Sequence, residues 1–419
     1  MSYKCVSVLG LGYIGLPTAA VLASNGIKVL GVDINKHIVD SVNAGKIHIE
    51  EPHLDKVVKE AVEKGFLKAS DEASSSDAFI IAVPTPFKDN DEGDPKPDLK
   101  FIDAAANAIA AVLKKGDLII LESTSPVGTT LRLSKMLGSM RKDLSFPHID
   151  GENSDIRIAY CPERVLPGNV LYELENNARV IGGISSKCSD EAIKLYENFV
   201  NNKCISTNSS TAEMAKLTEN SYRDVNIAFA NELSIIAEKN DINIWELIEL
   251  SNLHPRVNIL KPGPGVGGHC IAVDPWFIVS QNPDEAKLIK MARVVNDYKP
   301  EYVINRVIKT IQKKCDLNES KIGILGLSYK PDIDDLRESP SLGIAINLSK
   351  KFPGKTFIVE PHIEELPKSL AKNCYKCSFE DVFNMTDLVI ALVPHREFKD
   401  FKKYKSKTEF IDFCGLENY

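Results

Sequence analysis

An α/β fold is predicted for this sequence, with two doubly wound sheets joined by one long central helix, on three observations. Apolar β-rich runs alternate with helical stretches from residue 5 to about residue 205, one helical periodicity holds from residue 210 to 240, and the alternation resumes at residue 321. Strands of 4–8 residues separated by helical patterns are the beat of a parallel sheet with crossover helices.

The first section opens with CVSVLGLGYIGLPTAAVLASNGIKVLGVD, residues 5–33, which reads as strand, glycine turn, helix and strand. Further strands are predicted at AFIIAV (78–83), DLIIL (117–121) and RIAY (157–160). The central section begins near residue 210, where SSTAEM offers a capping box from Ser210 to Glu213. The periodicity then runs through SYRDVNIAFANELSIIAEKN, so one helix of about eight turns is expected. A helix of that length needs partners along most of its surface, which a dimer or a bridge between domains provides. The third section carries KIGILGLSYKP from residue 321, then TFIVEP, DLVIALVPH and EFIDFCG, a second and smaller α/β domain. The expected organisation is therefore residues 1–205, 206–300 and 315–419. No period of 20–50 residues repeats.

Composition bounds the function. A chain of 419 residues exceeds the roughly 250–300 at which single cores stop growing, so several domains are required. With 43% hydrophobic and 26% charged residues it reads as a soluble globular protein. The net charge of −7 gives no footprint for nucleic acid or an anionic membrane, and any anionic ligand must be met locally. The start, MSYKCVSVLG, lacks a signal-peptide pattern and no apolar run approaches the ~18 residues that span a bilayer; a cytoplasmic protein is expected. Nine scattered cysteines predict reduced thiols, and the C-x-x-C of Cys374 and Cys377, with no second pair nearby, reads as incidental.

The chemistry begins at GLGYIG. Gly10, Gly12 and Gly15 stand at G-x-G-x-x-G spacing after a strand and at the start of a helix. The first glycine permits the turn, the second lets a pyrophosphate approach the backbone, and the third lets helix and strand pack closely, with Tyr13 and Ile14 between them. Asp33, at the end of the next strand, accepts from the adenosine ribose hydroxyls and repels a 2′-phosphate, so NAD is expected rather than NADP. Thr85 and Thr124 each leave a strand at its carboxyl end, where open α/β sheets bind ligands.

On the long helix Lys216, Asn220 and Arg223 fall at i, i+4 and i+7, placing a cation, an amide and a second cation on one face. A lysine and an asparagine beside a nicotinamide suit alcohol oxidation, where a developing alkoxide must be steadied. The loop PGPGVGGHCIAVDPW, residues 262–276, is too rich in glycine and proline for a helix interior or a central strand. With Cys270, His269 and Asp274 it could be a nucleophile site, part of a metal site or a tight connection; no second His or Cys at ligand spacing supports a metal. A thiol beside an aldehyde captures it as a thiohemiacetal, which oxidation turns into a thioester and water releases as an acid, so a cysteine here would make a two-electron oxidation a four-electron one. His269 or Asp274 would serve equally as its base.

GLGYIGLP, EST.PVG, CPER, AEMAKLTENSYRDVNIAFANE, GVGGHCIAVDP and SYKPDIDDLRESPS, in that order, resemble the nucleotide-sugar 6-dehydrogenases of the UDP-glucose/GDP-mannose dehydrogenase family across nearly the whole chain. The resemblance implies two Rossmann-like domains, NAD as cofactor, a UDP-sugar as substrate and a homodimer or larger homo-oligomer through the central helix. CPERVLPG and GHCIAVDPWF imply UDP-N-acetyl-D-mannosamine, oxidised at C6 to the carboxylate by two NAD⁺ in succession. Carried over residue by residue, it implies Cys270 as nucleophile, Lys216 as oxyanion stabiliser with Asn220 assisting, and Thr124, Glu163 and Asp274 as residues that place water and tune proton transfer. Arg164, Val165, Arg223, His254, Arg256 and Gly267 resemble substrate contacts, with His254 and Arg256 reaching a neighbouring subunit's site; Tyr329 and Lys330 resemble uridine-nucleotide contacts and Arg337 a contact to NAD. Where UDP-glucose dehydrogenases carry Pro-Lys before the last Asp of the cysteine loop this chain has Ala272 and Val273, which counts against glucose. A second acidic residue is also missing, with Pro167 in its vicinity, so water activation rests on fewer groups. The competing expectations are the same chemistry on UDP-N-acetylglucosamine or UDP-glucose, a two-electron dehydrogenase, and a UDP-sugar or NAD-binding protein without turnover.

Overall fold

The computed structural model describes residues 3–88, 93–165, 168–268, 270–314, 319–404 and 408–418, so His269 and Pro167 lie outside the described residues. Two compact units emerge: one holds the chain up to Thr218 together with Trp276–Gln281, the other holds Glu219–Pro275 and the chain from Asn282 onward.

The first unit is built on β1 (Cys5–Leu9), β2 (Lys28–Val32), β3 (Leu67–Ser70), β4 (Ala78–Ile81), β5 (Leu118–Leu121), β6 (Arg157–Tyr160), β7 (Arg179–Gly183) and β8 (Cys204–Asn208). They form one sheet in the order β3-β2-β1-β4-β5-β6-β7-β8, parallel throughout except where β6 meets β7. Strands covered on both faces must be apolar on both, and they are. Val6, Val8, Ile80 and Ile120 enter one core while Leu9, Phe79, Ile81, Ile119 and Leu121 enter the other. Each such side chain, fully buried, contributes roughly 1.5–3 kcal/mol. The order reverses direction between β1 and β4, the switch point outside whose carboxyl strand ends open α/β sheets bind ligands.

The second unit carries β9 (Ile322–Leu325), β10 (Thr356–Val359), β11 (Cys374–Lys376), β12 (Leu388–Ala391) and β13 (Glu409–Asp412), all parallel in the order β11-β10-β9-β12-β13. The same period-two alternation sorts Ile322, Ile324, Leu388 and Ile390 into one core and Leu325, Val389 and Ala391 into the other. Cys374 sits in β11 and is buried, Cys377 is half-buried, and burial pushes both thiols up, as expected of packing residues.

The long helix spans Ser209–Lys239, but not through the expected capping box. The Asn208 carboxamide accepts from Thr211 N (2.8 Å), so the cap lies two residues upstream of Ser210. Glu213 does not reach back: Gly128 and Thr130 of the first unit supply three donors to its carboxylate, and a buried acid takes the richer donor set. In the second unit this helix packs against Lys287–Lys314 through buried polar groups. Arg293 donates to Asp224 (2.7 Å), Asn296 donates to the same carboxylate (2.8 Å), and Asn231 donates to Asn296 Oδ1 (2.9 Å). The chain of bonds ends at the cysteine loop, where Gly263 N donates to Asn231 Oδ1 (2.9 Å).

Candidate active site

The dinucleotide half belongs to the first unit. A Cβ at Gly10 would stand 2.6 Å from Ala82 O, and one at Gly15 would stand 1.8 Å from Gly10 O, so packing alone excludes a side chain at both. A Cβ at Gly12 would meet nothing within 4 Å. The middle glycine therefore faces open space, which is what a pyrophosphate resting on the backbone requires. The following helix, Gly15–Ser24, begins at Ile14 with no side chain capping it, and its N-terminal amides and dipole face that space. Tyr13 is exposed beside it. At the end of β2, Asp33 accepts from Leu11 N (2.9 Å) and Asn35 N (2.9 Å). These two bonds aim the carboxylate and leave lone pairs for ribose hydroxyls, so the residues present fit an NAD molecule.

The two predicted threonine loops meet. Thr85 Oγ1 donates to Thr124 O (2.7 Å), and Ser123 Oγ donates to Val83 O (2.7 Å). The loop from Thr124 to Gly128 is further pinned by two residues that sequence reading missed. Glu213 accepts from Gly128 N and Thr130 N, and the Gln281 carboxamide closes two bonds on Val127, at 3.1 and 2.9 Å. Neither had a local signal, since both act across more than 80 residues of chain.

After β6 the chain places Glu163 8% exposed, with burial pushing its carboxyl up to about 7 against the pull of Lys216 and Arg179. Lys216 Nζ donates to the Glu163 backbone carbonyl (2.6 Å). Arg164 and Val165 follow, half-buried, with Val165 packed on the core and Arg164 held near Ala178 O (3.4 Å). Glu51 was also missed: its carboxylate clamps Gly168 N and Val170 N (both 2.8 Å) and so anchors the far end of this loop.

The predicted site residues from Asn220 to Asp274 and from Tyr329 onward belong to the second unit. Val273 N (3.1 Å) and Asp274 N (2.9 Å) both donate to Cys270 O, folding a turn that leaves Cys270 exposed at its tip. Below it, Asp274 is 3% exposed and accepts from Asn220 Nδ2 at 2.5 Å. Asn220 lies one helical turn beyond Lys216, and the next predicted cation, Arg223, is exposed. Gly267 and Gly268 let the cysteine loop lie against the segment from Tyr329 to Pro340. A Cβ at Gly267 would stand 2.5 Å from Glu338 O and 2.9 Å from Tyr329 Cβ, and Gly268 takes a φ of +81°.

At the switch point of the second sheet, between β9 and β12, lies a cleft of about 260 Å³. Tyr329 lines it, as do Lys261 and Gly263 of the cysteine loop and Val393 and Pro394 after β12. The predicted Lys330 is exposed. Lys261 and the residues after β12 were missed, although DLVIALVPH marks a strand whose carboxyl end should carry ligand groups. Arg337 is engaged by Asp335 in a two-point pair (2.9 and 2.7 Å). His254 and Arg256 stand on an exposed stretch, with Arg256 N donating to His254 Nδ1 (3.3 Å).

Among the described residues one group, Asp332, His362, His395 and Glu397, has ligand atoms close enough for an ion. Two of its members are engaged elsewhere: Asp332 pairs with Arg396 (3.3 Å), while His395 accepts from Asp332 N (2.9 Å) and contacts Glu360 (3.2 Å).

The models of the UDP-glucose/GDP-mannose dehydrogenase family match as NAD binding domain over 4–200, central domain over 210–298 and UDP binding domain over 323–415. A UDP-N-acetyl-D-mannosamine dehydrogenase of Campylobacter jejuni is 58% identical, covering 98% of this chain and 99% of its own. An NDP-N-acetyl-D-galactosaminuronic acid dehydrogenase of Ralstonia nicotianae is 56% identical over 99% and 97%. The solved UDP-D-ManNAc dehydrogenase of Pyrococcus horikoshii superposes with a TM-score of 0.87 at 37% identity, over 98% of this chain and 96% of that one. The glycine cradle with Asp33, the exposed Cys270 above a buried Asn220–Asp274 pair, and these matches together show that the chain belongs to the UDP-glucose/GDP-mannose dehydrogenase family and uses NAD.

Proposed function

We propose that the protein oxidises the C6 alcohol of UDP-N-acetyl-D-mannosamine to a carboxylate, consuming two NAD⁺ and one water and releasing two NADH and three protons. The observation that carries this reading is Cys270, exposed on a glycine-shaped turn over the buried Asn220–Asp274 pair, in a chain 58% identical to a UDP-N-acetyl-D-mannosamine dehydrogenase. NAD⁺ bound at Gly10, Gly12, Gly15 and Asp33 would supply the hydride acceptor for both oxidations.

The chain's own residues do the rest. Lys216, whose ammonium is oriented by the Glu163 carbonyl, steadies the alkoxide of the first step and the oxyanions of the later ones. Cys270 adds to the aldehyde carbon, forming a C–S bond, and the second hydride loss leaves a thioester. Asp274, fixed by Asn220, sits four residues from the thiol and takes up or returns its proton. Water then attacks the thioester carbon, Glu163 accepts its proton with Thr124 helping to place it, the C–S bond breaks, and the Cys270 thiolate leaves. Lys261, Tyr329 and Lys330 receive the uridine nucleotide, with Arg164, Val165, Arg223, His254, Arg256 and Gly267 as sugar and phosphate contacts and Arg337 as a contact to NAD.

Three sections, 1–205, 206–300 and 315–419, divide these tasks. The central one forms a homodimer: Tyr222, Phe229 and Ile236, at heptad spacing, are 68%, 54% and 49% exposed, and Met291 on the second helix is 57% exposed. Among the described residues no helix is long and apolar enough to cross a membrane, and we place the enzyme in the cytoplasm. A second reading, another UDP-linked N-acetylhexosamine as substrate, is favoured by the 56% identity to the galactosaminuronate enzyme. A panel of UDP-sugars scored by initial NADH formation and by NADH per sugar tests both: two NADH per N-acetylmannosamine is expected. One NADH would refute the thioester route, and preference for another epimer would refute the substrate.

A further inference from the structure

β6 runs antiparallel to β7, with Ala159 opposite Gly183 and Tyr160 opposite Gly182, so the segment that carries Glu163 leaves β6 toward the start of β7, where a group of buried ionisable residues lies for which the proposed reaction has no use. Arg179, at the start of β7, is 1% exposed, a cation with no access to solvent. Its guanidinium lies 5.6 Å from the Tyr196 ring and donates to Leu174 O (3.1 Å). Tyr196 in turn donates to Glu122, 2% exposed, at 2.5 Å. Arg179 Nε, Glu122 Oε2 and Glu163 Oε1 are each buried without a hydrogen-bond partner. An arginine kept only for stability closes its fork on a carboxylate, because a buried charge with unmade bonds is costly. Arg179 keeps its Nε unpaired in the company of two buried carboxylates and the buried Cys161 thiol, and so acts as a field upon them.

We propose that Arg179 is a positioning residue for hydrolysis, holding the Glu163 carboxylate ionised so that it can take the proton of the attacking water. The inference rests on the reading of Glu163 as water activator. The charged groups facing Glu163 are Lys216 and Arg179, which favour its ionised form, and Glu122, which opposes it; burial outweighs them and sets the carboxyl near 7. Lys216 is also required for the oxidations, so Arg179 is the cation whose loss touches hydrolysis alone.

The test is the pH profile of kcat, with the first NADH burst followed separately. In wild type kcat rises with pH through the ionisation of Glu163. Glu163→Gln should abolish that limb while sparing the burst; if it keeps both kcat and limb, the water-activation reading itself fails. Given that loss, Arg179→Met should move the limb up by about one pH unit, roughly tenfold in rate on its acid side, with the burst unchanged. A wild-type limb in a folded Arg179→Met that still binds NAD⁺ overturns the inference and leaves Glu163's role intact. Arg179→Lys keeps the charge and should keep the limb. Should the methionine variant not fold, a shifted limb in the lysine variant overturns the proposal instead.

Discussion

Gly267→Ala is the sharpest single perturbation of the proposed UDP-sugar site. The added methyl carbon would stand 2.5 Å from Glu338 O, 2.6 Å from Pro340 Cδ and 2.9 Å from Tyr329 Cβ. Optimal carbon contacts lie at about 3.5–4.0 Å, so the loop must withdraw by roughly 1 Å from backbone and proline atoms that cannot rotate aside. Overpacking of this kind costs about 1–3 kcal/mol, and if it falls on the UDP-binding conformation it weakens UDP by roughly 5- to 150-fold. Cys270 stands three residues along the same loop, so kcat should fall as well; a displacement of about 1 Å at a reacting group can cost 10²-fold. The assay is calorimetric titration of UDP against the variant, with NAD⁺ affinity as the control, since the glycine cradle lies in the other unit. Wild-type UDP affinity and kcat in Gly267→Ala would refute the argument that this glycine exists for close packing of the two loops.

Other perturbations have equally definite outcomes. Cys270→Ser should nearly abolish turnover while leaving NAD⁺ binding, measured by protein fluorescence; retained full activity removes the nucleophile. Asn220→Ala removes one donor from a buried carboxylate, a bond worth about 1.5–3 kcal/mol, and should lower the midpoint of urea unfolding as well as kcat. Glu163 carries a pH signature in stability. Its folded pKa of about 7 lies above the ordinary 4.5, so the native state binds the extra proton between these values and its stability falls as pH rises through that window. Glu163→Gln should therefore raise Tm at pH 8 relative to wild type, by a penalty relieved of roughly 3 kcal/mol, and do little at pH 4; equal effects at both would count against the buried carboxyl.

Local patterns in the chain found most of the individual pieces. The glycine spacing, Asp33, the cysteine turn and the helical face of Lys216 and Asn220 are set by short-range rules of turn, strand end and helix period, and the structure puts each on the predicted element. What stayed hidden acts at long range. Ser210 and Glu213 have the pattern of a capping box, yet Glu213 is drawn to Gly128 and Thr130 because tertiary folding offers it three donors where its own helix end offers one. Gln281, Glu51 and Lys261 are ordinary polar residues in sequence and gain their meaning only from the loops they reach.

The sequence by itself determined the alternation of strand and helix, the glycine cradle and the turn that carries Cys270, because backbone conformation and hydrophobic period depend on neighbours a few residues apart. Only the tertiary structure decided which charges are buried together. Burial pushes the Glu163 carboxyl up, and Arg179, invisible among the chain's 51 lysines and arginines, is buried at the start of the strand antiparallel to β6. The physical reason is that desolvation and Coulomb coupling depend on distance in space and on the exclusion of water, neither of which a linear pattern encodes.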